Sequence, residues 1–233
     1  MSQSVQPDHA EGKPVAKCPF AKMAAVTPVP SLADALKERT KEAHARAEKH
    51  AIQSRMIKGE VSREQYAGWL GQMLHIWRVV DAGLAALSIR DARVAAMVKP
   101  YHAHAARVAA DLAFLGHTES AHPPLPATAR FVAQLNESMP GVGIVGAWYV
   151  LEGSANGGRY IAKAISRGLG IAGPEGLMNF DPHGEAQRPR WMAWRADLDA
   201  QVFGAAEREA MIETASATFD AVYDVMEDME RAG

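Results

Sequence analysis

Residues 152–159 read Glu-Gly-Ser-Ala-Asn-Gly-Gly-Arg and lie inside an apolar stretch that runs from Ile144 to Ile165. The apolar flanks predict one buried helix. Each glycine in a helix interior costs about 1 kcal/mol relative to alanine, so three glycines within six residues cost about 3 kcal/mol. Room beside the backbone offsets this cost, because a flat ligand can lie on the bare helix and a kink can form there. Two alternatives stay open: a loop between two shorter helices, and a close helix crossing.

The composition indicates one large globular domain. The 233 residues are 48% hydrophobic, which is enough to fill a single core. The formal net charge is −2, with 25 basic and 27 acidic residues intermixed, so we expect no nucleic-acid partner and no anionic membrane partner. A single cysteine excludes an internal disulfide framework. No apolar run approaches the ~20 residues that span a bilayer, and the N-terminus lacks a signal-peptide pattern, so we expect a cytoplasmic location.

The chain divides into an arm and a helical domain. Residues 1–30 lack periodicity and are predicted to form a flexible N-terminal arm. Residues 31–233 are predicted to form a single all-α domain, which starts at the capping pattern of Ser31 and continues with a second capping pattern at Ser62. Leu32 to Ala47 show continuous helical spacing. Further helices are predicted over residues 91–98, 101–115, 128–138, 187–203 and 205–230.

Most of the nine histidines have an ordinary explanation. His102 and His104 are predicted on a surface helix, where their spacing sends the two rings to different sides, which is poor geometry for one metal ion. His183 falls in a turn rich in glycine and proline. We therefore expect no metal cluster among these histidines.

His44 differs because a cation precedes it on nearly the same helix face. Lys37 lies two turns earlier in the segment Leu36 to His44. A neutral imidazole with nearby positive charge suits an iron porphyrin, which needs an axial nitrogen and cations for two propionates. The alternative is an exposed histidine on a highly charged helix.

Five motifs follow one another along the chain. They are Leu36 to His44, Lys58 to Tyr66, Leu74 to Trp77, Asp111 to Gly116 and the glycine-rich residues 152–159. Their order and spacing resemble the heme oxygenase family, and together they are more specific than any one of them. The resemblance extends from Ser31 to the end of the last helix and implies a single-domain, multi-helix heme oxygenase-like bundle.

The resemblance assigns roles to individual residues of the proximal and distal helices. His44 matches the proximal iron ligand. Gly153 and Gly157 match the glycines that let the distal helix lie close on the porphyrin, and Gly158 beside them is assigned to cofactor contact.

The heme propionates need cationic partners. Lys37 matches a basic residue that faces one propionate. The family's other partners lie on a late helix, where we assign Arg188 and Arg195, and Arg190 is the alternative in a shifted register.

Ser154 departs from the animal-type pattern. Those members carry an aspartate directly after the first distal glycine, where it organises water around bound oxygen, whereas some bacterial members share the Glu-Gly-Ser pattern. We assign Ser154 to the catalytic site with the distal glycines. Asn156 or Arg159 could hold the water network instead.

The resemblance implies oxidative cleavage of heme to biliverdin, carbon monoxide and ferrous iron. The reaction uses O2 and an external electron donor, a ferredoxin or a flavoprotein reductase, and heme is both substrate and cofactor. One alternative is a heme-binding protein for transport, storage or sensing. A di-iron oxidase is another, although no paired Glu-X-X-His pattern supports it. Cys18-Pro19-Phe20 resembles heme-regulatory motifs, and an ordinary surface thiol is the other interpretation.

Overall fold

Capping residues set the first helices of the domain. A computed structural model describes residues 30–138 and 141–232. The Ser31 hydroxyl accepts a hydrogen bond from the Asp34 N–H (3.1 Å), and Ser62 and Gln65 form a capping box. The first four helices are α1 (Leu32–Arg39), α2 (Lys41–Glu48), α3 (Ala51–Lys58) and α4 (Arg63–Arg90).

The expected continuous helix from Leu32 to Ala47 is interrupted at Thr40. Thr40 has a φ of −103° and a ψ of 0°, and its hydroxyl donates a hydrogen bond to the Leu36 carbonyl (2.7 Å). A side chain bonded to the preceding turn bends or ends a helix. The break separates α1 from α2 and allows the two helices to take different directions.

Six further helices complete the described part of the chain. Three of the predicted segments, residues 91–98, 128–138 and 205–230, agree with the structure to within about two residues. The predicted helix from Tyr101 to Leu115 begins only at Ala105, because Pro100–His102 forms a 3-10 turn. The described residues contain no strand, and the all-α prediction is confirmed. The helices are α5 (Ala92–Met97), α6 (Ala105–Phe114), α7 (Pro126–Ser138), α8 (Ile144–Leu169), α9 (Gln187–Asp199) and α10 (Ala205–Ala232).

Helix α8 is central to the core and packs on α10, α3, α4 and α9. A Cβ atom at Gly146 would lie 1.9 Å from the Met211 carbonyl oxygen, so only glycine permits this approach of α8 to α10. Trp148 and Trp194 are almost completely buried beside the crossing and contact each other edge to face (4.9 Å). These contacts fix the position of α8 for the site described below.

The helices within the described ranges include none with the length and apolarity needed to cross a membrane. Cys18 and the predicted arm lie outside the described residues.

Candidate functional site

The glycine-rich residues lie within one unbroken helix, since α8 runs from Ile144 to Leu169. A loop between two helices, one of the sequence-based alternatives, is therefore wrong. A Cβ atom at Gly158 would lie 2.3 Å from the Phe180 carbonyl oxygen, so this glycine lets the segment before α9 pack against α8. Gly158 thus faces Phe180, whereas its sequence-based assignment was to cofactor contact.

A cleft of about 230 Å³ opens between α2 and α8. It brings His44 and Lys37 to the same place as Gly153 and Ser154, which are more than 100 residues away in the sequence. The sequence indicated Lys37 with His44, and Gly153 with Ser154, as two separate pairs, and the fold brings the two pairs together. The lining residues are Lys37, Thr40, Lys41, His44, Tyr149, Val150, Gly153, Ser154, Trp191 and Phe219.

The His44 imidazole is held loosely. Its side chain is 52% exposed, and its Nε2 lies 3.4 Å from a Glu48 carboxylate oxygen. The ring contacts Phe219 edge to face, with 5.2 Å between centroids. An exposed contact of this kind contributes little free energy, so His44 can exchange Glu48 for another partner at low cost.

Positive charge surrounds one rim of the cleft. Lys37 and Lys41 both line it and are exposed. Arg195 lies nearby and donates a hydrogen bond to Asp34 (2.8 Å), although it is outside the lining. Arg188 is exposed on α9 and also lies outside the lining.

Helix α8 carries no side chain of its own at two successive turns of one face, at Gly153 and Gly157. A Cβ atom at Gly153 would lie 3.0 and 3.2 Å from atoms of the Trp191 ring, so that ring covers the space a side chain would take. Gly157 lies one turn further on the same face, and a Cβ atom there would have no neighbour within 4 Å. The bare helix face therefore continues from the cleft toward open space.

The polar residues among these glycines bond mainly to their own helix. The Ser154 hydroxyl donates to the Leu151 carbonyl (2.7 Å), and the Asn156 amide donates to the Gly153 carbonyl (2.9 Å). Arg159 is paired with Glu185 and with Asp181, whose carboxylate lies 3.8 Å away. Of the three candidates for holding water, only Ser154 lines the cleft.

A buried polar cluster lies on the other side of α8. Glu152 accepts hydrogen bonds from His104 Nε2 (2.8 Å) and His183 Nε2 (3.2 Å), and the three side chains are at most 3% exposed. Burial acts to raise the pKa of Glu152, but the two hydrogen bonds and the nearby imidazoles outweigh it and lower the pKa to about 2. Glu152 is therefore a carboxylate at neutral pH.

The expected surface positions of His102 and His104 are wrong, because both residues are buried, at 3% and 2% exposure. Asp81 on α4 accepts hydrogen bonds from the backbone N–H groups of His104 (2.9 Å) and Ala105 (2.8 Å) and draws this segment inward. Burial lowers the pKa of His102 to about 4. Arg190, the alternative propionate partner, points into the same cluster and contacts His183 Nδ1 (2.8 Å). The fold brings His104, Glu152 and His183 together, although their positions in the sequence do not indicate this.

Several cleft residues escaped the sequence-based assignment. Tyr149 and Val150 precede the glycines on α8, and Phe219 comes from the last helix. Trp191 comes from α9, and its packing on Tyr149 (5.4 Å) and parallel to Trp194 (5.2 Å) depends on contacts between side chains that are distant in the sequence or on other helices. A larger cavity of about 570 Å³ between α3, α4 and α10 contains none of the predicted site residues.

Comparisons with known proteins agree with this arrangement of helices. A family model described as heme oxygenase matches residues 30–228. Heme oxygenase 1 of Rattus norvegicus is 30% identical over 156 residues, which cover 64% of this chain but only 54% of the rat protein. Heme oxygenase 1 of Pongo abelii is 27% identical over 208 residues, covering 85% of this chain and 72% of that protein.

The fold is also shared with solved structures. Heme oxygenase-2 from Synechocystis sp. PCC 6803, in complex with heme and NO, superimposes with a TM-score of 0.79 at 22% identity. The superposition covers 87% of this chain and 86% of the cyanobacterial one.

Proposed function

The chain belongs to the heme oxygenase family, and we propose from this premise that it degrades heme. The proposed reaction is the cleavage of heme to biliverdin, carbon monoxide and ferrous iron, with O2 and an external electron donor such as a ferredoxin or a flavoprotein reductase. When bound, heme supplies both the iron that activates oxygen and the porphyrin that is opened.

The observation that carries this proposal is the position of His44 opposite the glycines of α8. The cleft presents an imidazole on one side and Gly153, which has no side chain of its own, on the other. This pair suits a flat iron porphyrin that takes one axial nitrogen from the protein. Neutral imidazole nitrogen is a common iron ligand. His44 would hold the iron, and Gly153 and Gly157 would let the porphyrin approach the helix backbone.

Heme also needs cations that pair with its propionates, and the rim of the cleft provides them. Heme carries two propionates, and Lys37 and Lys41 lie where they can pair with them. Arg195 is a further candidate, since its present partner Asp34 is 65% exposed and can release it to a stronger anion. Arg188 remains a candidate only through its place on α9.

The cleft must widen to receive a porphyrin. Its volume of about 230 Å³ is below the ~300 Å³ at which small-molecule pockets begin. Helix α2 lies between the break at Thr40 and the break before α3, and we propose that it shifts outward to admit the porphyrin. The Trp191 ring covers Gly153, so it must also move aside for the porphyrin to reach that glycine.

Ser154 gives the distal side a polar group. Because its hydroxyl proton is donated to the Leu151 carbonyl, the oxygen lone pairs remain free to accept hydrogen bonds from water in the cleft. We propose that Ser154 orders water there, the task that an aspartate performs in animal-type members.

The test is anaerobic loading with ferric heme, followed by oxygen and a reductant, with identification of the products. Biliverdin, carbon monoxide and released ferrous iron are expected in one-to-one proportion to heme. Intact heme after many equivalents of reductant would show a heme-binding protein instead.

A matched pair of variants tests the iron ligand. His44→Ala should lose the histidine-ligated spectrum and turnover, and added imidazole should restore part of both. His75→Ala is the control, since the His75 ring binds the His122 carbonyl (2.9 Å) away from the cleft. A spectrum that changes in His75→Ala and not in His44→Ala would move the ligand to His75.

A further inference from the structure

Five side chains form one continuous hydrogen-bonded chain behind α8. Arg190 Nη1 contacts His183 Nδ1 (2.8 Å), His183 Nε2 contacts Glu152 (3.2 Å), Glu152 contacts His104 Nε2 (2.8 Å), and His104 Nδ1 lies 3.5 Å from Arg107 Nη1. The arrangement is symmetric about the carboxylate: arginine, histidine, glutamate, histidine, arginine.

The arginines determine where the histidine protons lie. A guanidinium can only donate, so His183 Nδ1 must accept the hydrogen bond from Arg190. The neutral ring then carries its proton on Nε2 and donates it to Glu152. The same reasoning applies to His104 through the longer Arg107 contact, and both rings are neutral donors to one carboxylate.

This proton arrangement argues against a metal ion, although two histidines and a glutamate are familiar iron and zinc ligands. A metal would need the Nε2 lone pairs, which moves each proton to Nδ1 and sets it against an arginine N–H. The two guanidinium charges would also repel a cation. The side chains are therefore partners of each other.

The cluster ties α8 to its surroundings at the residue next to the cleft. His104 is held from α4 by Asp81 and by stacking on Trp77 (4.3 Å), and Arg190 lies over the Tyr101 ring (4.1 Å). Glu152 precedes Gly153, so its side chain and the glycine face different sides of the helix. Holding the carboxylate from two directions fixes the rotation of α8 about its axis.

We propose that Glu152 is a positioning residue that, through His104 and His183, turns the bare face of Gly153 toward His44. This inference rests on the proposed heme degradation, since its effect on chemistry is read through the cleft. We call the three hydrogen-bonded side chains of His104, Glu152 and His183 the clamp. The clamp is present in the protein without heme and can be studied in that state.

The first experiment measures the histidine protons directly. Long-range 1H–15N spectra of heme-free protein with 15N-labelled histidine should show His104 and His183 as neutral rings protonated on Nε2 at pH 7. Glu152→Gln places an amide N–H against one of these donors and should change the tautomer of at least one ring. A ring protonated on Nδ1, or on both nitrogens, in the parent protein would overturn the proposal.

Titration with Zn²⁺ in the same samples tests the competing assignment. No change in the two rings supports the clamp. Stoichiometric binding that shifts both rings and disappears in Glu152→Gln would show a metal site and overturn it.

The second experiment compares two buried carboxylates. Glu152→Gln should lower the rate of heme turnover about tenfold while changing heme affinity much less, because a small misplacement of a reacting face affects chemistry more than binding. It should also alter the product isomer ratio. Asp111→Asn is the control: Asp111 on α6 is 1% exposed and accepts the Asn179 N–H (2.7 Å), so this carboxylate is bonded to the segment before α9.

The opposite result is that the two variants lose turnover equally and in proportion to their loss of stability. That result would give Glu152 only a general structural role and would refute the proposal that it positions Gly153. Failure of the parent protein to degrade heme would refute the proposed function alone, because the tautomers of His104 and His183 are measured without heme.

Discussion

Replacing the two bare glycines of α8 by alanine separates folding from function. Alanine in a helix interior is more favourable than glycine by about 1 kcal/mol. A methyl group at Gly157 has no neighbour within 4 Å, so Gly157→Ala should gain that full amount in the heme-free protein. At Gly153 the methyl would lie 3.0 Å from Trp191, and such overpacking costs about 1–3 kcal/mol. Gly153→Ala should therefore range from neutral to about 2 kcal/mol less stable.

Gly157→Ala should be favourable for the stability of the heme-free protein but unfavourable for heme binding. If the porphyrin lies on this face, each added methyl lifts it from the helix, so both variants should bind heme more weakly and turn it over more slowly. Urea unfolding of the heme-free proteins measures the first effect. Heating measures it too, with an expected shift of about 2–4 °C per kcal/mol for a chain of this size. Heme titration and product analysis measure the second effect.

Two results would refute this reasoning. A heme-free Gly157→Ala protein that is less stable than the parent would show that the space beside Gly157 is filled. Unchanged heme affinity and turnover in both variants would show that the porphyrin lies elsewhere, and the assignment of α8 as the distal helix would fail.

Three further predictions follow from other residues. Burial acts to raise the pKa of Glu152, but the hydrogen bonds from His104 and His183 outweigh it and hold the folded pKa below its unfolded value of 4.5, so the carboxylate should stabilise the fold above pH 4.5. The difference in unfolding free energy between the parent and Glu152→Gln should shrink as the pH falls from 4.5 toward 2, and a constant difference would contradict it. Joint replacement of Lys37 and Lys41 by alanine should accelerate heme dissociation and make the dissociation rate less dependent on salt concentration. An unchanged salt dependence would show that other cations pair with the propionates. Deletion of residues 1–28 should leave turnover unchanged. Cys18→Ala and the parent should bind the same number of hemes per chain. A second heme that is bound by the parent and lost in Cys18→Ala would instead make the arm a heme-binding segment.

Local signals predicted the helices well, because their causes lie within a few residues. The capping pattern at Ser62 and the apolar face that follows it are sufficient to start α4 at Arg63. The break at Thr40 was missed, since helical spacing continues through it and only the hydroxyl bond to the Leu36 carbonyl marks it.

The site was only partly predictable for the opposite reason. His44 and Lys37 share a helical face pattern, and the glycines of α8 are unusual on their own, so each half was visible in the sequence. Trp191 and Phe219 enter the cleft through packing between distant helices. The buried clamp was missed because the spacing of His104 on a predicted helix indicated solvent, whereas hydrogen bonds to Asp81 draw it inward.

Several residues of α8 must each face a particular neighbour, and this requirement also limits how the helix can change in length during evolution. Gly146 meets the α10 backbone, Glu152 holds the clamp, and Gly153 faces the cleft. One inserted residue between Gly146 and Glu152 would turn everything after it by about 100°, enough to carry a charged side chain toward the space that a glycine now leaves open. Among homologues, α8 should therefore vary by substitution and keep its residue count, while insertions and deletions accumulate in the surface connections.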